Sequence, residues 1–179
     1  MEEEIDIINA AKAGDKVAIT MLINNNYDIL KGYTIKMTSN IEEAKDIVQE
    51  TLLKAIVNIN KFIPNYRFST WLITIATNIY RDTLKKNKRL ILLDESIEVF
   101  TEDIENKALN NILINQALSI LQELSYEKRT VFILKHYYNF SYEEIAHIMK
   151  CPIGTVRSRL HNSIKIIIRK MKERGIIDE

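Results

Sequence analysis

Ser141 to Leu160, SYEEIAHIMKCPIGTVRSRL, holds the densest run of chemistry-bearing side chains in this sequence. Ser141 and Glu144 stand at S-x-x-E spacing, so hydroxyl and carboxylate can satisfy free backbone amides at a helix start. The short helix that follows presents Ile145, Ala146 and Met149 inward, with Ala146 small enough for a second helix to cross closely. Lys150–Pro152 makes a turn. The next helix offers Val156, Leu160 and Ile164 to a core and leaves Thr155, Ser158, His161, Asn162 and Lys165 outward, flanked by Arg157 and Arg159. This layout is a helix-turn-helix, whose second helix enters the major groove of duplex DNA. Arg can bind guanine bidentately, Asn can bind adenine, and Ser or Thr can reach either. Arg169, Lys170, Lys172 and Arg174 would continue along phosphates, which gives affinity but little sequence information. The plainer alternative is an αα-hairpin with a charged outer face.

Two earlier elements carry further polar groups. A long helix opened by Asn40 as N-cap has Glu42 and Glu43 in its first turn. Ile41, Ala44, Val48, Leu52, Ala55 and Ile59 share one side of it, and Glu42, Asp46, Gln49, Glu50 and Leu53 share the other. A leucine among those polar groups points to a partner surface. After a loop from Phe62 to Phe68, Ser69 or Thr70 caps another helix running to about Lys86. Leu72, Ala76 and Ile79 form its core side; Trp71, Asn78, Arg81, Lys85 and Lys88 cluster opposite.

These elements must be held by a mostly helical chain. Only four glycines and two prolines punctuate 179 residues. Ile5–Ile35 reads as two or three short helices broken near Gly14-Asp15 and at Asn24-Asn25-Asn26. Residues 91–106 are acidic and aperiodic and read as a linker, and helical patterning resumes at Lys107, with breaks near Ser125, Asn139–Ser141 and Lys150–Pro152.

Net charge is +1, but its distribution is uneven. Residues 58–93 hold seven basic groups against one acidic, and residues 129–179 hold ten against five. The segments before each are acidic. Two basic blocks suggest two places that meet a polyanion. The single cysteine excludes an internal disulfide and fits a reducing cytosol. The acidic N-terminus is unlike a secretory signal, and no apolar run is long enough to span a bilayer, so a cytoplasmic protein without membrane insertion is expected. His147 and Cys151 are four apart, but Cys151 follows the helix end and no further cysteine is available, so no metal site is expected. No Gly-rich phosphate loop or catalytic constellation stands out. The chain is expected to need no cofactor and not to be an enzyme.

Arg129-Thr-Val-Phe-Ile-Leu-Lys, Phe140-Ser-Tyr-Glu-Glu-Ile-Ala and Pro152-Ile-Gly-Thr-Val-Arg-Ser-Arg-Leu resemble the C-terminal domain of extracytoplasmic-function sigma factors. Asp46-Ile-Val-Gln-Glu-Thr and Phe68-Ser-Thr-Trp-Leu-Ile-Thr-Ile-Ala-Thr-Asn-Ile-Tyr-Arg-Asp resemble that family's N-terminal domain. The resemblance runs from about Ile5 to Lys172 in order and spacing. It implies an all-α fold of two small helical domains, 1–90 and 107–179, joined by a flexible linker over 91–106. It also implies an alternative sigma factor that binds core RNA polymerase and reads promoter DNA, both duplex and melted strand.

Residue by residue, it places Asp46, Gln49, Glu50 and Leu53 on the polymerase clamp. In that family the N-terminal domain captures an extruded base of the −10 element, which requires an apolar pocket, polar groups for the base edge and cations for the backbone. Phe62, Tyr66, Ile75 and Asn78 are the candidates around the base; Arg67, Arg81, Lys85, Lys86, Lys88 and Arg89 follow the phosphates. Trp71 is a candidate there too, although a lone Trp after a loop more often anchors a core. The −35 element falls to Thr155, Arg157, Ser158, Arg159, His161, Asn162 and Lys165. Relatives are commonly held by an anti-sigma factor, which adds a partner that no residue here identifies.

The chain departs from the family pattern at Lys150, where glycine is common, and at Ser125, where proline is common and a serine can cap instead. Asn162 stands where relatives often have Arg, which leaves the preferred DNA sequence open. Two other readings compete: a helix-turn-helix regulator without polymerase docking, and a helical adaptor for an acidic partner. The first leaves Asp46, Gln49, Glu50 and Leu53 without a task.

Overall fold

The computed structural model describes residues 2–93 and 112–177; residues 94–106 of the expected linker, and 107–111 after it, lie outside them. Among the described residues there are eight α-helices and no strand. They fall into two compact units, one on each side of that segment.

The first unit begins with α1 (Glu2–Lys12) and α2 (Lys16–Thr38), separated at Gly14 by a left-handed turn with φ 92°. Asp15 then caps α2, its carboxylate accepting from the amides of Val17 at 2.8 Å and Ala18 at 3.2 Å. The expected break at Asn24–Asn26 does not occur. Asn26 is buried and donates its side-chain amide to the Leu22 carbonyl one turn back at 2.8 Å, so a residue that usually favours turns is satisfied inside the helix.

Next come α3 (Ile41–Val57), a 3-10 turn (Ile59–Lys61) and α4 (Phe68–Leu93). As expected, Asn40 caps α3 by accepting from the Glu43 amide at 3.0 Å. Neither Ser69 nor Thr70 caps α4: both are buried in its first turn, and the Arg67 carbonyl accepts from Thr70 at 3.0 Å instead. The helix also runs on through Leu93, beyond the expected end and into the range read as linker. Helices α2, α3 and α4 pack on one another around Leu30, Tyr33, Met37, Val48, Leu72 and Ile73. Burying a side chain of that size stabilises by about 1.5–3 kcal/mol. One buried polar tie crosses this core, between the Tyr33 and Thr77 hydroxyls at 2.7 Å.

The second unit holds α5 (Ile112–Gln122), α6 (Tyr126–His136), α7 (Tyr142–Met149) and α8 (Ile153–Glu173). The other three helices all pack on α8, around Leu121, Val131, Ile133, Leu134, Ile145, Ile148 and Val156. Ser125 stands at the start of α6, but only its carbonyl serves the helix; its hydroxyl makes no capping bond.

Candidate functional site

Asp46, Gln49, Glu50 and Leu53 form one exposed row along α3, opposite its buried side. Leu53 is 64% exposed, and Val57, one turn further on, is 80% exposed. Val57 extends the apolar end of the row and was not singled out by its sequence, where a valine at the end of an apolar-rich helix looks like core. The buried stripe itself is centred on Ala44, Thr51 and Ala55, with Ile47 and Val48. Ile41 and Leu52, expected inside, fall at its rim: Ile41 is exposed and Leu52 half-buried. Glu50 pairs with Lys54 at 2.6 Å on the surface, where such a pair adds little stability.

The loop ahead of α4 is fastened by aromatic rings. Phe62 lies 5.4 Å from Phe68 and 5.1 Å from Trp71, and Phe68 lies 5.5 Å from Trp71. Phe62 is 2% exposed, so it is core and cannot offer its ring face to an unpaired base. The sequence places Phe62 around the extruded base as part of an aromatic pocket; packed against Phe68 and Trp71, it can only back such a pocket. Trp71 is half-buried in this cluster and anchors the loop while keeping part of its ring accessible. Lys12, from α1, donates to the Phe62 carbonyl at 2.6 Å and clamps the loop from the other end. No local pattern signals that contact.

On α4 itself, Ile75 and Asn78 are half-buried neighbours one turn apart, and Tyr66 is half-buried in the preceding loop. The Asn78 side-chain oxygen accepts from Arg81 at 2.8 Å, and Arg81 faces Asp82 at 3.7 Å. Arg81 is therefore engaged along its own helix. Arg67, Lys85, Lys86, Lys88 and Arg89 are exposed.

In the second unit the capping box forms as its spacing required: the Ser141 hydroxyl accepts from the Glu144 amide at 3.1 Å, and the Glu144 carboxylate accepts from the Ser141 amide at 2.9 Å. Lys150 ends α7 in the left-handed region at φ 50°, the conformation for which glycine is the ordinary choice. For a residue with a Cβ this costs on the order of 1 kcal/mol.

From α8, Ser158, His161, Asn162, Lys165 and Arg157 are exposed, and Thr155 and Arg159 are half-buried. Arg159 reaches back to the Cys151 sulfur at 3.6 Å, so it braces the turn. Val156 and Leu160 are buried as expected; Ser163 takes the place given to Ile164, its hydroxyl bonded to the Leu160 carbonyl at 2.7 Å. Arg157 and Lys135 both lie over the ring of Tyr142, at 5.4 and 5.0 Å from its centroid.

Three of the four cations expected along phosphates are engaged within the chain. Lys170 and Arg174 both bind the Glu123 carboxylate, and Arg174 also donates to the Ser119 hydroxyl at 2.6 Å. The Lys170 hydrogen bond and the two positive charges hold the Glu123 carboxyl below its ordinary range. Arg169 pairs with Glu173 at 3.4 Å.

Among the described residues no cluster of His, Cys, Asp or Glu could hold a metal ion, and no helix is long and apolar enough to cross a membrane.

Comparison with known proteins gives a consistent result. The family model of sigma-70 region 2 matches residues 22–90, and that of sigma-70 region 4 matches residues 114–167. The chain is 30% identical over 178 residues to the ECF RNA polymerase sigma factor SigW of Bacillus subtilis, covering 93% of this chain and 95% of the relative. It is 30% identical over 175 residues to SigL of Mycobacterium tuberculosis, covering 94% and 97%. Among solved structures it resembles the sigma factor RpoE of Bartonella quintana, in complex with the anti-sigma factor NepR, with TM-score 0.77 and 25% identity over 86% of this chain and 96% of that one. CnrH in complex with the cytosolic domain of CnrY shares the fold, at TM-score 0.70 and 20% identity over 93% and 96%.

Proposed function

We propose a division of labour that starts from one premise: the chain belongs to the extracytoplasmic-function family of sigma-70-type RNA polymerase sigma factors, and is an alternative sigma factor that directs transcription initiation. Its domains are 1–90 for polymerase and −10 binding, 91–106 as connection, and 107–179 for the −35 element. It works in the cytoplasm by binding alone, with no catalysis of its own.

Asp46, Gln49, Glu50 and Leu53, continued by Val57, dock on the polymerase clamp. The acceptors there suit basic partners through charge-assisted bonds, and the two stranded apolar side chains gain from being covered. Ile75, Asn78 and Tyr66 take an extruded base of the −10 strand, with Trp71 at the rim and Phe62 supporting from below. Arg67, Lys85, Lys86, Lys88 and Arg89 follow the strand's phosphates, and Arg81 steadies Asn78. Thr155, Arg157, Ser158, His161, Asn162 and Lys165 meet the −35 duplex, and Arg159 holds the turn that presents them. An anti-sigma factor is a further partner, by likeness to RpoE, whose structure was solved with one.

The observation that carries this reading is the exposed row on α3, ending in Leu53 at 64% and Val57 at 80% exposure. A regulator acting on duplex DNA alone has no use for it. The test is reconstitution with core RNA polymerase and an Asp46→Arg/Glu50→Arg variant alongside. The variant should lose promoter-dependent initiation by tenfold or more while the chain's own DNA binding persists. Unchanged initiation by that variant would contradict docking through α3.

A further inference from the structure

We infer that Tyr142 is a positioning residue for Arg157 in the reading of the −35 duplex; the inference rests on α8 being the duplex-reading helix. Arg157 is exposed on the first turns of α8, where a free arginine samples many rotamers and loses that freedom on binding. The guanidinium instead lies over the Tyr142 ring, 5.4 Å from its centroid. The electron-rich face of the ring attracts the cation. A cation–π contact engages the charge of the guanidinium rather than a hydrogen bond from a particular N–H, so the donors that bind guanine bidentately stay available.

The ring is itself well placed to act as a fixed shelf. Tyr142 is the first residue of α7, inside the Ser141–Glu144 capping box, which sets the direction of that helix. From α6, Lys135 donates to the Phe140 carbonyl at 3.2 Å and holds its ammonium 5.0 Å from the same ring. Tyr142 thus links α6, α7 and the DNA-facing side of α8 at one point.

The test uses the holoenzyme and duplexes from a promoter selected out of a randomised pool, with single base-pair substitutions through the −35 element. Tyr142→Leu should lower discrimination at one base pair about two- to fivefold, the range of an exposed cation–π contact. Tyr142→Phe, which keeps the ring, should stay near wild type. In an Arg157→Ala background Tyr142→Leu should have no further effect. Equal losses with and without Arg157, or a Tyr142→Phe variant as impaired as Tyr142→Leu, would overturn the inference in favour of plain structural support or a hydroxyl contact with phosphate. If Arg157→Ala alters no base preference while the wild type still depends on its −35 element, only the tyrosine's role falls. A wild type indifferent to the −35 sequence removes the duplex assignment and this inference together.

Discussion

The two basic faces of this protein are built on opposite plans. On α4, Lys85, Lys86, Lys88 and Arg89 project along the last turns, exposed. On α8, most of the cations are committed. Arg157 lies over Tyr142, Arg159 contacts Cys151, Arg169 pairs with Glu173, and Lys170 and Arg174 grip Glu123. Lysines with no partner among the described residues suit a single strand, whose backbone has no fixed path. Braced arginines suit a duplex, whose base edges stand at fixed positions and reward donors held in place. The difference teaches that equal basic charge can serve unequal tasks, decided by what each cation already touches.

The largest effect that would sharpen this comparison lies beneath the α4 face. Phe62→Ala should destabilise the first unit by about 3–5 kcal/mol, as loss of a buried phenylalanine does, measured by chemical denaturation. An effect below about 0.5 kcal/mol would return Phe62 to the surface. Next, Lys85→Ala/Lys88→Ala should weaken binding of single-stranded −10 DNA by the holoenzyme. The slope of log affinity against log salt should fall by about 1.4, from roughly 0.7 per single-strand phosphate contact; an unchanged slope would remove these lysines from the strand.

Smaller effects test the bracing of the second unit. Lys150→Gly relieves a left-handed residue at φ 50° and should raise stability by no more than about 1 kcal/mol, since glycine also gains freedom when unfolded. Smallest is the acid response of the Glu123 clasp. The folded carboxyl is held below its ordinary value of 4.5, so its contribution is present above that pH and is lost as pH falls through the depressed value. Glu123→Gln should remove that part of the acid sensitivity, read from melting temperatures between pH 6 and 3. An identical pH profile in wild type and variant would show that the clasp contributes nothing.

Much of this was legible in the chain because the signals were local. Asn40 and the Ser141–Glu144 pair mark helix starts through bonds spanning three residues, and Lys150 stands out by occupying a position where the family commonly has glycine. The outward set on α8 follows from its period. What escaped depended on distant partners. Lys12 with Phe62, and Glu123 with Lys170 and Arg174, join residues about fifty apart, and charge alone made Lys170 and Arg174 look like phosphate contacts. The Asn24–Asn26 break failed because propensity counts asparagine as a turn former without seeing that Asn26 bonds its own helix. Ile41 and Leu52 were placed inside because pattern reading favours apolar residues, whereas the stripe is centred on Thr51, whose polarity hid it.

The comparison between α4 and α8 is tested most directly by asking each face for the wrong substrate. The measurement is binding of the reconstituted holoenzyme to a single-stranded −10 oligonucleotide and, separately, to a −35 duplex, for Lys85→Ala/Lys88→Ala and for Arg157→Ala. The α4 variant should lose affinity for the single strand and keep the duplex, and the α8 variant should do the reverse. If both variants weaken both substrates alike, the two faces are one undifferentiated basic surface and the division of labour is wrong.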